Sequence, residues 1–326
     1  MKRLVLLILV GGIAAVGFYV RFSRMAELRR AKPQPTATTR SADTEGPRDY
    51  VRQTVVPDAD EATNGPQRII SLAPNITELC AALGLADRIV GRTQFCLHPP
   101  SVQHAAVVGG YVDPNLERIV VLKSDLVLIT TSSTRLKEKL AALDLPVKEL
   151  PDSSLEDVFE GIRLLGEYTG RPKTAAQLTR RLRHDLDRLA MHRPPAPLRV
   201  LVVVGEMPAM PRPVYVAGPG SYLDSLVKLA GHENALAGKI DRAWAEVSAE
   251  MVLAAKPDAI LETRSPERLG MLETVYKAWA DFAAVPAIAN RRICSITDDF
   301  ILIPGPRVNI ALYKVIQALS PRPVLD

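Results

Sequence analysis

The sequence predicts an α/β protein of two lobes with parallel sheets, joined by one long helix and preceded by an N-terminal membrane segment and a disordered linker. Three observations predict it. From residue 67 onward, short β-branched runs alternate with helical stretches, the pattern of a parallel sheet covered by helices. One amphipathic stripe long enough for about 20 helical residues interrupts the alternation. A stretch of the first half also reappears, without gaps, in the second.

The 326 residues suit two domains of ordinary size. With 47% hydrophobic and 24% charged residues, the chain has the balance of a folded protein with a sizeable core. Its formal charge of +5 is concentrated in residues 1–30, where Lys2, Arg3, Arg21, Arg24, Arg29 and Arg30 face only Glu27. The remainder is neutral and lacks the basic face that nucleic acid demands. Three cysteines are too few for a disulfide scaffold.

Residues 1–20 form the membrane segment. Lys2 and Arg3 precede an apolar run from Leu4 to Val20, which spans roughly 25 Å as a helix, the lower limit for a bilayer. It reads either as a cleaved signal peptide, with Ala15-Val16-Gly17 as the cut site, or as an uncleaved anchor. Continuation through Phe18, Tyr19 and Val20 favours the anchor. The arginines that follow count against an outside body under the positive-inside rule, so charge leaves the orientation open. Residues 21–66, with Pro33, Pro35, Pro47, Pro57 and Pro66 and no apolar period, read as a flexible linker.

The first lobe, residues 67–170, opens with strand 68–72 and a helix introduced by a capping box at Asn75-Ile76-Thr77-Glu78. Strand 89–92 follows, then a helix opened by Asp113-Pro114 and ending near Lys123. Strand 126–130, helix 134–143, strand 147–150 and helix 154–166 complete it. The connecting helix lies within residues 171–193, where Ala175, Leu178, Leu182, Leu186 and Leu189 make one stripe. In the second lobe, residues 194–326, strands are expected at 198–204, 215–217, 259–262 and 293–297. Helices are expected from Ser221 and over 248–255 and 307–319. Each lobe is thus Rossmann-like. Residues 117–130 align with 250–263 at a constant offset of 133, with Glu117/Glu250, Lys123/Lys256, Asp125/Asp258 and Thr130/Thr263 identical.

Motifs for catalysis are missing. There is no G-x-x-x-x-G-K-S/T, no G-x-S-x-G around Ser221, and no second histidine at zinc-protease spacing after His232-Glu233. The five histidines are scattered and read as surface or structural residues, so neither an enzyme nor a resident metal or cofactor is expected.

An ordered set of short motifs covers residues 67–320: Arg68–Glu78 (RIISLAPNITE), Ala82–Leu85 (ALGL), Val90–Thr93 (VGRT), Pro99-Pro100, Asn115-Leu116-Glu117 and Lys123–Val127 (KSDLV). Val216–Tyr222 (VAGPGSY), Val247–Glu250 (VSAE), Lys256-Pro257-Asp258 and Pro304–Arg307 (PGPR) continue it. The set resembles helical-backbone (class III) periplasmic binding proteins, the cobalamin and ferric-siderophore class that serves ABC importers. The resemblance implies two lobes, a rigid connecting helix, a ligand cleft between them and no catalysis. It also implies a monomeric body on the periplasmic side of the inner membrane, handing a small-molecule metal chelate to an ABC permease dimer with its ATPase. The anchor and linker depart from the usual cleaved or lipid-bearing signal.

By the same resemblance, Phe95, Tyr111 and Trp244 stand where cobalamin binders place aromatic rings, which would suit a corrin face. Phe95 and Tyr111 read equally well as loop anchors. Arg92, Arg264 and Arg307 are candidates to meet an anionic siderophore or haem, or else ordinary ion-pair partners. Cys80 and Cys96 resemble a cysteine pair of some cobalamin-binding relatives and form either a disulfide or two small core residues. Glu117 and Glu250 are the implied permease-docking carboxylates; each also favours the dipole of a helix first turn. The expected ligand is cobalamin-like or an iron chelate, with ferric siderophore or haem as the alternative. A tethered sensor or scaffold without a transport role is the reading from another class.

Overall fold

A computed structural model describes residues 58, 61, 65–191, 194–205, 207, 213–264 and 272–320. The expected membrane segment and most of the linker lie outside these residues. Among the described residues, no helix is long and apolar enough to cross a membrane. The described residues through Asp152, with Glu156–Arg181, form one compact unit; Ser153–Leu155 and the described residues from Leu182 form the other.

In the first unit the chain runs β1 (Ile69–Ser71), α1 (Pro74–Ala82), β2 (Ile89–Arg92), β3 (Ala106–Val107), α2 (Leu116–Val121), β4 (Leu126–Thr130), α3 (Thr134–Ala141), β5 (Val147–Leu150) and α4 (Leu155–Thr169). The five strands are ordered β3-β2-β1-β4-β5, and every pairing is parallel. All five residues of β4 are buried, as a near-continuous apolar run at the centre of a parallel sheet requires. Ile70, Leu72, Val127, Ile129, Leu136 and Leu140 belong to the core on one side of the sheet. Helix α5 (Pro172–Ala190) then carries the boundary between the units within its length.

The second unit contains β6 (Arg199–Val204), β7 (Val214–Ala217), α6 (Tyr222–Leu229), β8 (Glu233–Asn234), β9 (Trp244–Val247), α7 (Ala249–Ala255), β10 (Ala259–Thr263), α8 (Leu272–Ala278), α9 (Pro286–Ala289), β11 (Ile293–Ile296) and α10 (Val308–Leu319). Its sheet is ordered β11-β10-β6-β7-β9, with β8 also pairing β6. This corrects the expectation of two parallel sheets. Strand β7 runs antiparallel to both β6 and β9. Residues 205–213 are all that separate β6 from β7, too few for the dozen-residue crossover that a parallel return needs.

Two helix starts also differ from expectation. Helix α1 begins one residue before Asn75, with Pro74 in its first turn and Ala73 in the cap position without a side-chain bond. Proline's fixed φ and missing N–H suit that place, so no capping box is needed. Helix α2 begins at Leu116, capped by Asn115, whose Oδ1 accepts the Arg118 N–H at 2.9 Å.

The internal repeat is structural as well as sequential. Ser248, 133 residues after Asn115, caps α7 by accepting the Met251 N–H. Strands β4 and β10 begin and end at matching positions. Lys123 and Lys256 both turn the chain through positive φ, at 46° and 44°. The next shared residue then ties down a neighbouring strand: Asp125 accepts from Gln67 N and Arg68 N at 2.7 and 2.8 Å, and Asp258 from Arg199 N at 2.9 Å.

The end of the expected linker is held in place. The Glu61 carboxylate accepts from Thr174 N at 3.1 Å and also meets Lys173 N and Thr174 Oγ1. Asp58 N donates to Thr174 Oγ1 at 3.1 Å. The first turn of α5 has unpaired N–H groups and a positive dipole end, and a carboxylate satisfies both.

His232 is 6% exposed, and its Nδ1 accepts the Leu198 N–H at 3.1 Å. Accepting requires the neutral ring, and burial pushes its pKa below the ordinary 6.5. As pH falls, the unfolded chain therefore takes up this proton first. The contribution is full above pH 6.5 and is lost as pH falls through the lower folded value. The melting temperature should begin to drop as pH falls through 6.5, and His232→Asn, which can still accept from Leu198, should flatten that part of the profile. An identical slope in the variant removes His232 from the acid response.

Candidate ligand-binding site

The loop after β2 is organised from within. Arg92 is buried and donates to Thr93 O, Cys96 O and Gln103 Oε1 at 3.2, 3.3 and 2.7 Å. Gln103 Nε2 closes the same loop onto Cys96 O and Leu97 O. Burial pushes the Arg92 guanidinium below its usual range. Its Nη donors go to loop oxygens, so Arg92 scaffolds the turn that carries Phe95. Phe95 itself is 3% exposed and shows almost no ring surface to solvent.

Cys80 and Cys96 are fully buried free thiols. Burial pushes both up, and the Cys96 charge adds to the rise at Cys80. Thr93 Oγ1 lies 3.1 Å from Cys96 Sγ.

Tyr111 is half-buried in the turn after β3. Gly109, at a φ of +116°, allows that turn, and a Cβ there would come 2.9 Å from Asn115 N. The Tyr111 hydroxyl lies 2.8 Å from Thr130 Oγ1 and 3.2 Å from Ser132 Oγ, which fixes the ring. Burial first, then the Asp152 charge, pushes its phenol up. Sequence reasoning missed Thr130, Ser132 and Asp152. For Thr130 and Ser132 the signal was the hydroxyl run Thr130-Thr131-Ser132-Ser133 at the end of a buried strand.

In the second unit, half-buried Trp244 opens β9 opposite Ala217. Gly218 sets this crossing: its N–H donates to Ala243 O at 2.8 Å, and a Cβ would sit 2.1 Å from Arg242 O. Arg264 is buried with its Nε 2.5 Å from Glu262 Oε2. Glu262 is fully buried and also accepts from Trp279 Nε1 at 2.8 Å and Met207 N at 3.3 Å. Arg307 is 8% exposed, 3.8 Å from Asp299 and stacked 4.8 Å over the Phe300 ring. The three candidate arginines are thus buried among local partners.

Glu117 and Glu250 are exposed in the first turns of α2 and α7. The Ser248 hydroxyl, then the Glu250 backbone N–H, holds the Glu250 carboxyl below its usual range. One turn further along each helix stands an exposed apolar residue, Val120 at 45% and Leu253 at 41%.

Sequence comparison finds 29% identity over 264 residues with a vitamin B12-binding protein of Pectobacterium carotovorum, covering 78% of this chain and 90% of that one. The crystal structure of a periplasmic vitamin B12-binding protein of Vibrio cholerae is 25% identical, with a TM-score of 0.64 over 78% of this chain and 96% of that one. A periplasmic haem-binding protein from Roseiflexus sp. RS-1 is 26% identical, with a TM-score of 0.65 over 78% and 98%. The periplasmic binding protein family model matches residues 69–300, and the chain belongs to that family.

Proposed function

We propose that the chain is the periplasmic substrate-binding component of an ABC importer and captures a corrinoid, cobalamin first. The observation that carries the ligand is the similarity to vitamin B12-binding proteins along nearly the whole folded body. Tyr111 and Trp244 are the proposed aromatic contacts, since both are half-buried, the Tyr111 hydroxyl is held by Thr130, and the Trp244 backbone is paired opposite Ala217. Phe95 is the third aromatic candidate, buried in the loop after β2.

Haem is the second reading, favoured by the similarity to the Roseiflexus protein. It needs cations for carboxylate groups, and Arg92, Arg264 and Arg307 are buried against loop oxygens, Glu262 and Asp299. Engaged guanidiniums fit an uncharged corrin rim better than a dianionic ligand. An N-terminal anchor would keep the body beside its permease. A Cys80–Cys96 disulfide, formed by exchange with an oxidising disulfide of that compartment, belongs to the same proposal.

Calorimetric titration with cyanocobalamin, ferric hydroxamate, ferric catecholate and haem tests the ligand. Cyanocobalamin should bind tightest. Trp244→Phe should weaken it by ~1–3 kcal/mol and remove most of the ligand-induced fluorescence change. Tighter haem or siderophore binding overturns the corrinoid reading, and unchanged affinity in the variant removes Trp244 from the site.

Glu117 and Glu250, each followed by an exposed apolar residue one turn on, are the proposed docking points on the permease. Two separated carboxylates fix orientation and steer encounter more than they add affinity. Replacing both by Ala should leave ligand affinity intact, lower the melting temperature slightly and strongly reduce uptake. Normal uptake with a lowered melting temperature leaves them only a helix-end role.

A further inference from the structure

Behind the Tyr111 ring, the first unit holds a polar cluster that the aromatic contacts do not explain. Thr130 Oγ1 lies 2.8 Å from Tyr111 Oη, 2.8 Å from Ser132 Oγ and 3.1 Å from Ser133 Oγ. Ser132 Oγ donates to Asp152 Oδ2 at 3.0 Å. Asp152 Oδ1 is buried and has no hydrogen-bond partner among the described residues. Thr130 ends β4, and Asp152 lies two residues past the end of the adjacent β5. These are the carboxyl ends of neighbouring parallel strands, where open α/β sheets receive ligands.

A purely structural staple between β4 and β5 would be complete with the Ser132–Asp152 bond. The other carboxylate oxygen is surplus to such a staple, desolvated and unpaired like Asp224 Oδ1 in the second unit, which is a costly arrangement. Burial pushes the Asp152 carboxyl up, opposed by the hydroxyls of Ser132, Thr130 and Tyr111. The hydroxyl protons near it are spoken for: Ser132 gives its own to Oδ2, and those of Tyr111 and Thr130 have oxygen neighbours within the cluster. What Oδ1 calls for is a donor from outside.

We infer that Asp152 Oδ1 accepts an N–H from a primary carboxamide of the ligand and thereby selects an amide-bearing rim over a carboxylate-bearing one. The inference rests on the corrinoid reading above and deepens it. The rim of a corrin carries primary amides, whereas haem presents propionates, and a propionate here would set two carboxylates against each other. Tyr111 has two parts in this arrangement: its ring meets the ligand, and its hydroxyl orders the cluster that holds Asp152.

The test titrates the full chain and Asp152→Asn with cyanocobalamin and with its single-site acids, in which each primary amide is hydrolysed to a carboxylate in turn. In the full chain, one acid should bind roughly tenfold to a hundredfold more weakly than cyanocobalamin, and the others close to it. Asp152→Asn keeps the size of the side chain and can donate. It should weaken cyanocobalamin about tenfold and restore the singled-out acid to within a few-fold of the parent. If every acid binds alike to the full chain, or if the variant weakens all ligands equally, Asp152 is only structural and the inference fails. No binding of cyanocobalamin itself would overturn the corrinoid reading and carry this inference with it; the pattern among the acids tests the inference alone.

Discussion

Two aspartates hold the register on which everything else is built. Asp125 and Asp258 each sit just before a central strand and accept backbone N–H groups at the start of the strand beside it. A parallel sheet leaves donors unpaired where strands begin, and a one-residue slip would turn every inward side chain outward. The left-handed lysines two residues earlier aim each carboxylate at its target. With the starts fixed, the far ends are fixed too. Thr130 and Thr263 close their strands at equivalent positions, and the loops bearing Ser132 and Arg264 depart from known points.

The two units spend equivalent positions differently. In the first, Thr130 gathers hydroxyls and one half-satisfied carboxylate. In the second, Thr263 accepts the Gly205 N–H, and its neighbour Glu262 is fully satisfied by Arg264, Trp279 and Met207 N. A buried carboxylate with both oxygens engaged rigidifies its surroundings. One with a spare oxygen is poised for something else. Charge burial alone does not separate the two cases; the count of donors does.

Much of this was legible in the sequence. Strands β2, β4 and β5 fall on their expected residues because each is a short run carrying at least two apolar residues between turns or helix ends. The matched polar positions of the repeat were enough to locate α2, α7 and their following strands. Strand β9 was missed because Trp244–Val247 alternates over only four residues, and the mixed sheet was missed with it. Arg92 and Arg264 show a different limit. Composition makes an arginine in a strand-end loop a candidate for an anionic ligand, but the acceptors that occupy it, Cys96 O, Gln103 and Glu262, are set by chain paths that no local pattern displays. Asp152 shows the converse, since an unpaired oxygen has no signature in sequence at all.

The crossing at Gly218 separates what can vary from what cannot. A single methyl group there would collide with the Arg242 carbonyl, so the backbone that delivers residue 244 is locked by a residue with no side chain. The residue it delivers, Trp244, is half-buried at the start of a four-residue strand. Mutational drift can therefore exchange the ring at 244 for another shape while its point of departure stays put. If the ring at 244 meets the ligand as proposed, changes of ligand repertoire need not be changes of architecture, and a library randomised at 244 but fixed at 218 varies recognition on a constant backbone.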